Sequence, residues 1–230
     1  EDPHAFVLNK PPGLATQGGT KTTQHLDRLL DGLADEEGAR PKLVHRLDKD
    51  TSGALLVART ARAAGHFAKS FSGRTARKVY WALVVGVPDR DEGVIDLPLA
   101  KQPGTGGEKM HISEEFGLPA KTRWRVIDRA GNRAAWVELQ PLTGRTHQLR
   151  AHCAAIGTPI LGDGKYGGAA AHTLGGAAAH RLHLHARALE IPHPAGFTLQ
   201  VTAPLPAHMR RMWEFLGFAA DAPDPFAALD

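Results

Sequence analysis

The order of strand-like and helix-like segments restricts the fold of this chain more than any other feature. Residues 77–86, RKVYWALVVG, alternate so that Val79, Trp81 and Leu83 share one face, which predicts a β-strand. Other apolar segments predict strands at residues 5–8, 54–58, 121–128, 133–140, 185–193 and 197–204. Because strands and helices do not alternate strictly, we expect an α+β fold with a mixed, largely antiparallel sheet and flanking helices.

Three segments have the apolar spacing of a helix. Residues 22–36 carry leucines at i, i+3, i+4 and i+7, starting at Leu26. A second helix is predicted after Thr60, with Gly73 near its end. The third, RTHQLRAHCAAIG, is closed by Gly157. The Gly- and Ala-rich residues 167–179 are instead expected to form a surface loop.

The composition is that of an ordinary globular protein. The 230 residues are 42% hydrophobic and 23% charged. No apolar run approaches the roughly 18 residues that span a bilayer, so we expect no membrane partner. The one cysteine, Cys153, excludes an internal disulfide and is consistent with a cytoplasmic location.

Basic residues are concentrated in two parts of the chain, although the net charge is only +4. Residues 59–81 contain six Lys or Arg and no acid, and residues 121–150 contain seven against Asp128 and Glu138. Segregated positive charge indicates a polyanionic partner, with nucleic acid first. A merely solvated charged face is the alternative on charge alone.

The polar residues 45–53, HRLDKDTSG, lie between two strand-like runs and require an explanation. Counted from Asp48 they begin like a calcium loop, but the twelfth position, which needs a bidentate glutamate, is Arg59. Residues 162–167, GDGKYG, match a dinucleotide-binding glycine pattern, yet no helix-like segment follows. The thirteen histidines lack the ligand spacing of a zinc site, so we expect no metal.

The start of the third predicted helix is unusually basic. Arg145, His147 and Arg150 stand where cations oppose the helix macrodipole. Helix-start amides beside arginines form a good phosphate site, which indicates a functional use. Charges that are only solvated are the alternative.

Five segments together resemble the RluA-type RNA pseudouridine synthases, in the order in which that family carries its motifs. They are NKPPGL (9–14), HRLDKDTSG (45–53), RKVYWALVVG (77–86), LTGRTHQLRAH with GTPILGD and KYG (142–167), and RLHLHA (181–186). The resemblance implies the pseudouridine synthase catalytic fold in a single domain over residues 1–230. One departure is His183, where many members carry an apolar residue.

The resemblance implies that uridine already in RNA is isomerised to pseudouridine without a cofactor. From its place in HRLD, Asp48 is the expected catalytic carboxylate. The sequence leaves three roles open for it: attack on the sugar, attack on the base, or removal of a sugar proton. Arg150 is expected to pair with Asp48 and keep it ionised. Tyr80 is expected to stack on the base and to help remove the C5 proton, and Leu184 to form a pocket wall.

Four further residues are expected to bind RNA. Arg46 would enter the space left by the extruded uridine. Lys10 and Arg145 would hold phosphates, and His45 belongs to the same RNA-binding group.

Residues 13–20, GLATQGGT, resemble the RluC-like branch that acts on large-subunit (23S) ribosomal RNA. We therefore expect ribosomal RNA as the partner of a monomeric enzyme, with an S4-like RNA-binding domain possible upstream. The same chemistry on transfer RNA is the first alternative. Two further alternatives are a non-catalytic RNA-binding module and a metal-dependent hydrolase. The RNA-binding module would not need Asp48, Tyr80 and Arg150 together, and the hydrolase would use the histidines to bind its metal.

Overall fold

In a computed structural model, residues 1–19, 22–104, 109–176 and 180–219 are described, and they form two compact units. The first unit takes in residues 1–78 and 185–206, and the second takes in the described residues from 79 to 184 and from 207 onward. Each unit is therefore built from two separate stretches of chain. The single catalytic domain expected from the sequence stays a prediction.

The described residues contain eleven strands and five α-helices. The strands are β1 (Ala5–Lys10), β2 (Lys42–Leu43), β3 (Ser52–Ala58), β4 (Arg77–Val85), β5 (Glu92–Asp96), β6 (Leu99–Lys101), β7 (Met110–Ile112), β8 (Lys121–Ala130), β9 (Ala134–Pro141), β10 (Leu184–Pro192) and β11 (Thr198–Thr202). The helices are α1 (Leu26–Leu29), α2 (Ala61–Ser72), α3 (Gln148–Ala155), α4 (Gly164–Gly167) and α5 (Ala207–Leu216), with 3-10 helices at Leu30–Leu33 and Gly168–His172.

The first unit is organised around β3, every residue of which is buried. β1 and β2 pair with β3 in antiparallel fashion, β10 pairs with it in parallel, and β11 runs antiparallel to β10. Thr60 caps the N-terminus of helix α2, because its side chain accepts the Ala63 N–H. The helix places Phe67 in an apolar cluster with Leu56 of β3 and Ile191 of β10.

The second unit is built on the antiparallel neighbours β4, β9, β8 and β5, with a separate β6–β7 pair. Its main apolar cluster includes Val84 of β4, Val137 of β9 and Leu149 of α3. Three buried tryptophans, Trp81, Trp136 and Trp213, are fully enclosed at its other face. Within both units most pairings are antiparallel, so the expected α+β class with a mixed, largely antiparallel sheet is confirmed.

Two sequence predictions need correction. The helix predicted over residues 22–36 is only one α-helical turn followed by a 3-10 turn. Leu29 is 60% exposed, so the leucine repeat does not form one buried stripe. The loop predicted at residues 167–179 contains a 3-10 helix at Gly168–His172, and its residues 177–179 lie outside the described part.

No helix within the described ranges combines the length and the apolar character that a membrane crossing requires.

Candidate active site

Asp48 lies in the first unit, on the loop that joins β2 to β3, and its side chain is partly exposed. The loop ends in a turn in which the Thr51 N–H donates to the Asp48 carbonyl oxygen at 3.1 Å. Gly53 follows with a φ of +116°, and a Cβ there would lie 2.2 Å from the Ala186 carbonyl oxygen. Only glycine therefore allows the chain to leave this loop so close to β10.

Leu47, the residue before Asp48, is held by the side chain of Thr16. The Thr16 hydroxyl donates to the Leu47 carbonyl oxygen at 2.6 Å and accepts the Leu47 N–H at 3.2 Å. Both residues are buried, with Thr16 3% and Leu47 5% exposed. Thr16 was not among the predicted site residues, because no local pattern of the sequence links it to Leu47.

Lys49, the residue after Asp48, is also held by residues near the start of the chain. The Lys49 carbonyl oxygen accepts the Gly13 N–H at 2.9 Å and the Lys10 ammonium at 3.0 Å. Residues 10–16 thus hold backbone groups of Leu47 and Lys49, the two residues that flank Asp48 in the chain. This leaves the carboxylate on a loop whose backbone has little freedom to move.

Lys10 was predicted to hold RNA phosphates. The structure places it 1% exposed, with its ammonium also donating to the Pro11 and Leu14 carbonyl oxygens at 3.0 and 2.6 Å. Burial lowers the pKa of Lys10 to about 8, and the charges of Asp50 and Asp48 act in the opposite direction. This geometry favours a structural role for Lys10 over a phosphate contact.

His45 and Arg46 precede Leu47 on the same loop. The His45 Nε2 atom accepts the Leu56 N–H at 2.8 Å, and its ring stacks on Phe71 with the centroids 4.4 Å apart. Burial lowers the pKa of His45 to about 3, with a further contribution from the Lys78 charge, so His45 is neutral at pH 7 and offers no cation to a phosphate.

Arg46 is exposed, and its Nη1 donates to the Gln17 Oε1 at 3.4 Å. A long, exposed cationic side chain beside Asp48 is free to change its rotamer at low cost. Its placement is therefore compatible with the predicted entry into RNA.

Arg150 lies in the second unit, on α3, where it forms a buried bidentate ion pair. Its Nε donates to the Asp163 Oδ2 at 3.0 Å, and its Nη2 donates to the Asp163 Oδ1 at 2.8 Å. The Asp163 side chain is 0% exposed and that of Arg150 is 12% exposed. The guanidinium also lies over the Tyr166 ring, 5.2 Å from its centroid. Asp48 belongs to the other unit, and its pairing with Arg150 stays a prediction.

Asp163 is a residue that the sequence analysis missed as a partner of Arg150. It lies where the glycine pattern GDGKYG overlaps the family motif segment GTPILGD, and no role was predicted for it. The acid in GTPILGD, inside a motif of the family, was the available signal. Asp163 also begins α4, where its side chain accepts the Tyr166 N–H at 3.4 Å.

The start of α3 is held in a strained conformation. His147 has a φ of +51°, which is rare for a residue other than glycine. Its Nδ1 lies 2.7 Å from the Tyr166 hydroxyl, which in turn accepts the Met110 N–H at 3.0 Å. Strain of this kind persists only where surrounding contacts impose it. The segment just before Arg150 is therefore tightly fixed.

Tyr80 and Leu184 contribute to one apolar cluster of the second unit. Leu184 is 3% exposed within it, and Tyr80 is partly buried and packs against it. Arg145 is partly exposed, and its Nε donates to the Pro119 carbonyl oxygen at 3.0 Å. Predicted base stacking by Tyr80 and phosphate binding by Arg145 stay predictions.

Within the described residues, no group of three or more His, Cys, Asp or Glu side chains could hold a metal ion.

The sequence profile of the family described as RNA pseudouridylate synthase matches residues 4–155 of this chain. The dual-specificity RNA pseudouridine synthase RluA of Escherichia coli is 40% identical over 205 residues, which cover 89% of this chain and 90% of that protein. An uncharacterized RNA pseudouridine synthase of Synechocystis is 38% identical over 227 residues, covering 94% of this chain and 67% of that protein.

A solved structure shows the same fold. The human protein RNA pseudouridylate synthase domain containing 4 aligns with a TM-score of 0.78 and 30% identity, covering 94% of this chain and 91% of its own. The profile match includes the loop of Asp48, the strand of Tyr80 and the helix of Arg150. This chain therefore belongs to the RluA-type RNA pseudouridine synthase family and is an enzyme of the isomerase class.

Proposed function

We propose that this enzyme converts uridine to pseudouridine in large-subunit ribosomal RNA, with Asp48 as its catalytic carboxylate. The observation that carries the proposal is the family match across residues 4–155, which includes the HRLD loop. On that loop, hydrogen bonds hold the Leu47 and Lys49 backbone groups while the Asp48 side chain stays partly exposed. A catalytic group has to be held within about 0.5 Å of its productive position, and a backbone fixed in this way favours that role for Asp48.

The reaction conserves all atoms of the nucleotide. The glycosidic bond between N1 and C1′ breaks, the uracil turns, and a bond forms between C5 and C1′. The proton on C5 passes to a base, and N1 regains a proton. Asp48 acts as nucleophile or base close to C1′, Tyr80 stacks on the uracil and assists at C5, and Arg150 keeps Asp48 ionised.

The remaining assignments concern the surroundings of the base. Leu184 forms an apolar wall of the pocket, which its burial in the cluster beside Tyr80 supports. Arg46, exposed on the loop of Asp48, takes the place of the extruded uridine. Arg145, partly exposed before α3, holds a phosphate.

The choice of RNA rests on less specific features. The resemblance of residues 13–20 to the ribosomal branch favours large-subunit RNA, although Thr20 lies outside the described part. The second candidate is activity on transfer RNA as well. The Escherichia coli relative is named a dual-specificity enzyme, which favours more than one RNA substrate for this chain. We further propose that the enzyme acts as a monomer in the cytoplasm.

Tritium release from RNA labelled at uridine C5 tests the reaction and the role of Asp48 together. Large-subunit ribosomal RNA and transfer RNA are labelled separately and incubated with the wild type, Asp48→Asn and Asp50→Asn. Asp50 is the matched control, because it is an exposed aspartate on the same loop. We expect release by the wild type and Asp50→Asn, and none by Asp48→Asn.

Each other outcome has a defined meaning. Release that persists in Asp48→Asn contradicts the catalytic role of Asp48. Release from transfer RNA alone contradicts the ribosomal preference, and release from both RNAs supports the second candidate. Absence of release from both RNAs by the wild type contradicts the proposed activity of this chain.

A further inference from the structure

We propose that Thr16 is a positioning residue for Asp48, which it orients through the peptide groups of Leu47. The inference rests on the proposed role of Asp48 and adds a residue to that site. Thr16 does not touch the reacting atoms in this assignment. Its part is to fix the backbone from which the carboxylate projects.

The two hydrogen bonds of the Thr16 hydroxyl act directly next to Asp48. The Leu47 carbonyl, which accepts the hydroxyl proton at 2.6 Å, belongs to the peptide bond that joins Leu47 to Asp48. The Leu47 N–H, which donates to the hydroxyl oxygen at 3.2 Å, belongs to the preceding peptide bond. One hydroxyl therefore fixes the orientation of two successive peptide planes, and with them the direction in which the Asp48 side chain leaves the chain.

Thr16 can serve as a fixed point because its own backbone is anchored. Its carbonyl oxygen accepts the Asp27 N–H at 2.9 Å, and the neighbouring Ala15 carbonyl oxygen accepts the Leu26 N–H at 2.8 Å. These bonds tie residues 15 and 16 to the start of α1. The hydroxyl thus links the loop of Asp48 to a secondary structure element outside it.

Burial makes the hydroxyl difficult to replace. Thr16 and Leu47 are both almost inaccessible to solvent, so a side chain without a hydroxyl leaves the Leu47 N–H and carbonyl without their partner in a dry environment. The loop then has to rotate to satisfy these groups. A displacement of 1 Å at a catalytic group lowers the rate by up to about 100-fold.

Valine and serine separate the hydroxyl from the shape of the side chain. Thr16→Val keeps the volume and removes the hydroxyl, whereas Thr16→Ser keeps the hydroxyl. We expect Thr16→Val to lower the single-turnover rate of tritium release at saturating RNA by roughly 10- to 100-fold. We expect the RNA dissociation constant to stay within about twofold, and Thr16→Ser to recover most of the rate, because specific positioning affects the chemical step rather than RNA binding.

Asp35→Ala is the control for hydrogen bonds lost elsewhere in the same unit. The Asp35 carboxylate accepts the Glu37 and Ala39 N–H groups at 3.0 and 2.8 Å, so this variant also loses two bonds to backbone. We expect its rate to equal that of the wild type. All rates are measured at a temperature at which circular dichroism shows each variant to be folded. Thr16→Ala, with less steric demand, replaces the valine variant if that variant does not fold.

The outcomes distinguish this inference from the proposed function. If the wild type releases tritium, Asp48→Asn does not, and Thr16→Val retains the full rate, the positioning role is wrong and the function stands. If rate and RNA affinity fall together, or serine fails to restore the rate, Thr16 has only a general structural role. If the wild type itself releases no tritium, the proposed function is wrong, and the positioning role of Thr16, which rests on it, is wrong as well.

Discussion

Arg150→Met removes one partner of the buried ion pair with Asp163 and keeps much of the side-chain volume. The Asp163 carboxylate is 0% exposed and accepts two bonds from Arg150 at 2.8 and 3.0 Å, so the variant leaves a buried charge without its counter-charge. Breaking such a pair from one side costs about 3–5 kcal/mol. This is a large part of the roughly 5–15 kcal/mol that stabilises a typical folded protein.

Urea unfolding followed by tryptophan fluorescence measures the loss of stability in the second unit. All four tryptophans, Trp81, Trp124, Trp136 and Trp213, lie in the second unit, which also contains the ion pair. With a slope of about 1–3 kcal/mol per molar urea, the expected loss lowers the unfolding midpoint by roughly 1 M or more.

A double-mutant cycle isolates the pair from the other contacts of Arg150. Adding Asp163→Asn removes the uncompensated charge, so the double variant should lose at least about 1 kcal/mol less than the sum of the two single variants. The control is Lys121→Met, since Lys121 pairs with Asp96 at 3.0 Å with side chains 51% and 56% exposed. Its loss should stay below about 1 kcal/mol. An additive cycle, with Arg150→Met no worse than this control, would refute the reasoning.

Three further predictions concern pH, the Lys10 contacts and Gly53. Burial, with the nearby His208, lowers the pKa of His183 from 6.5 to about 4. Between these two pH values only the unfolded chain binds the proton, so the free energy of unfolding decreases as the pH falls below 6.5. The loss is about 2 kcal/mol at pH 5. His183→Leu removes the titrating group and should therefore make the urea midpoint depend less on pH. Lys10→Met removes the ammonium donor from three carbonyl oxygens, of which only that of Lys49 keeps another donor among the described residues, the Gly13 N–H. The variant should cost about 3 kcal/mol in the same assay followed by circular dichroism, whereas an unchanged midpoint would contradict the structural role of Lys10. Gly53→Ala places a Cβ against the backbone of Ala186 and should cost about 4 kcal/mol or more, and a loss below about 1 kcal/mol would show that the close approach is not needed.

The sequence predicted those parts of the fold that depend on local pattern. The alternation of residues 77–86 predicted β4, and Thr60 with Gly73 predicted the limits of α2. The leucine repeat from Leu26 failed as a long helix, because two of its leucines remain exposed and supply no packing energy to extend it. The short strands β5, β6 and β7 and helix α5 were not predicted, since the three strands have too few residues to show a period.

The candidate site was predicted as a set of residues but not as a set of contacts. The polar loop with Asp48 between two strands follows from the pattern of the sequence and from its family motif. The bond from Thr16 to Leu47 spans 31 positions, and the pair of Arg150 with Asp163 spans 13. Such bonds depend on how the chain returns on itself, and no periodicity within one segment indicates them.

The parallel pairing of β3 with β10 has a consequence for synthesis on the ribosome. The Ser52 hydroxyl bonds to His185 Nδ1 at 2.8 Å, although the two residues are 133 positions apart. At roughly 5–20 residues per second, a nascent chain waits roughly 7–27 s between these residues. During that time the edge of β3 that β10 later covers has unpaired backbone groups, which attract other strands. The first unit, which carries Asp48, therefore cannot be completed until its second stretch, residues 185–206, has been translated.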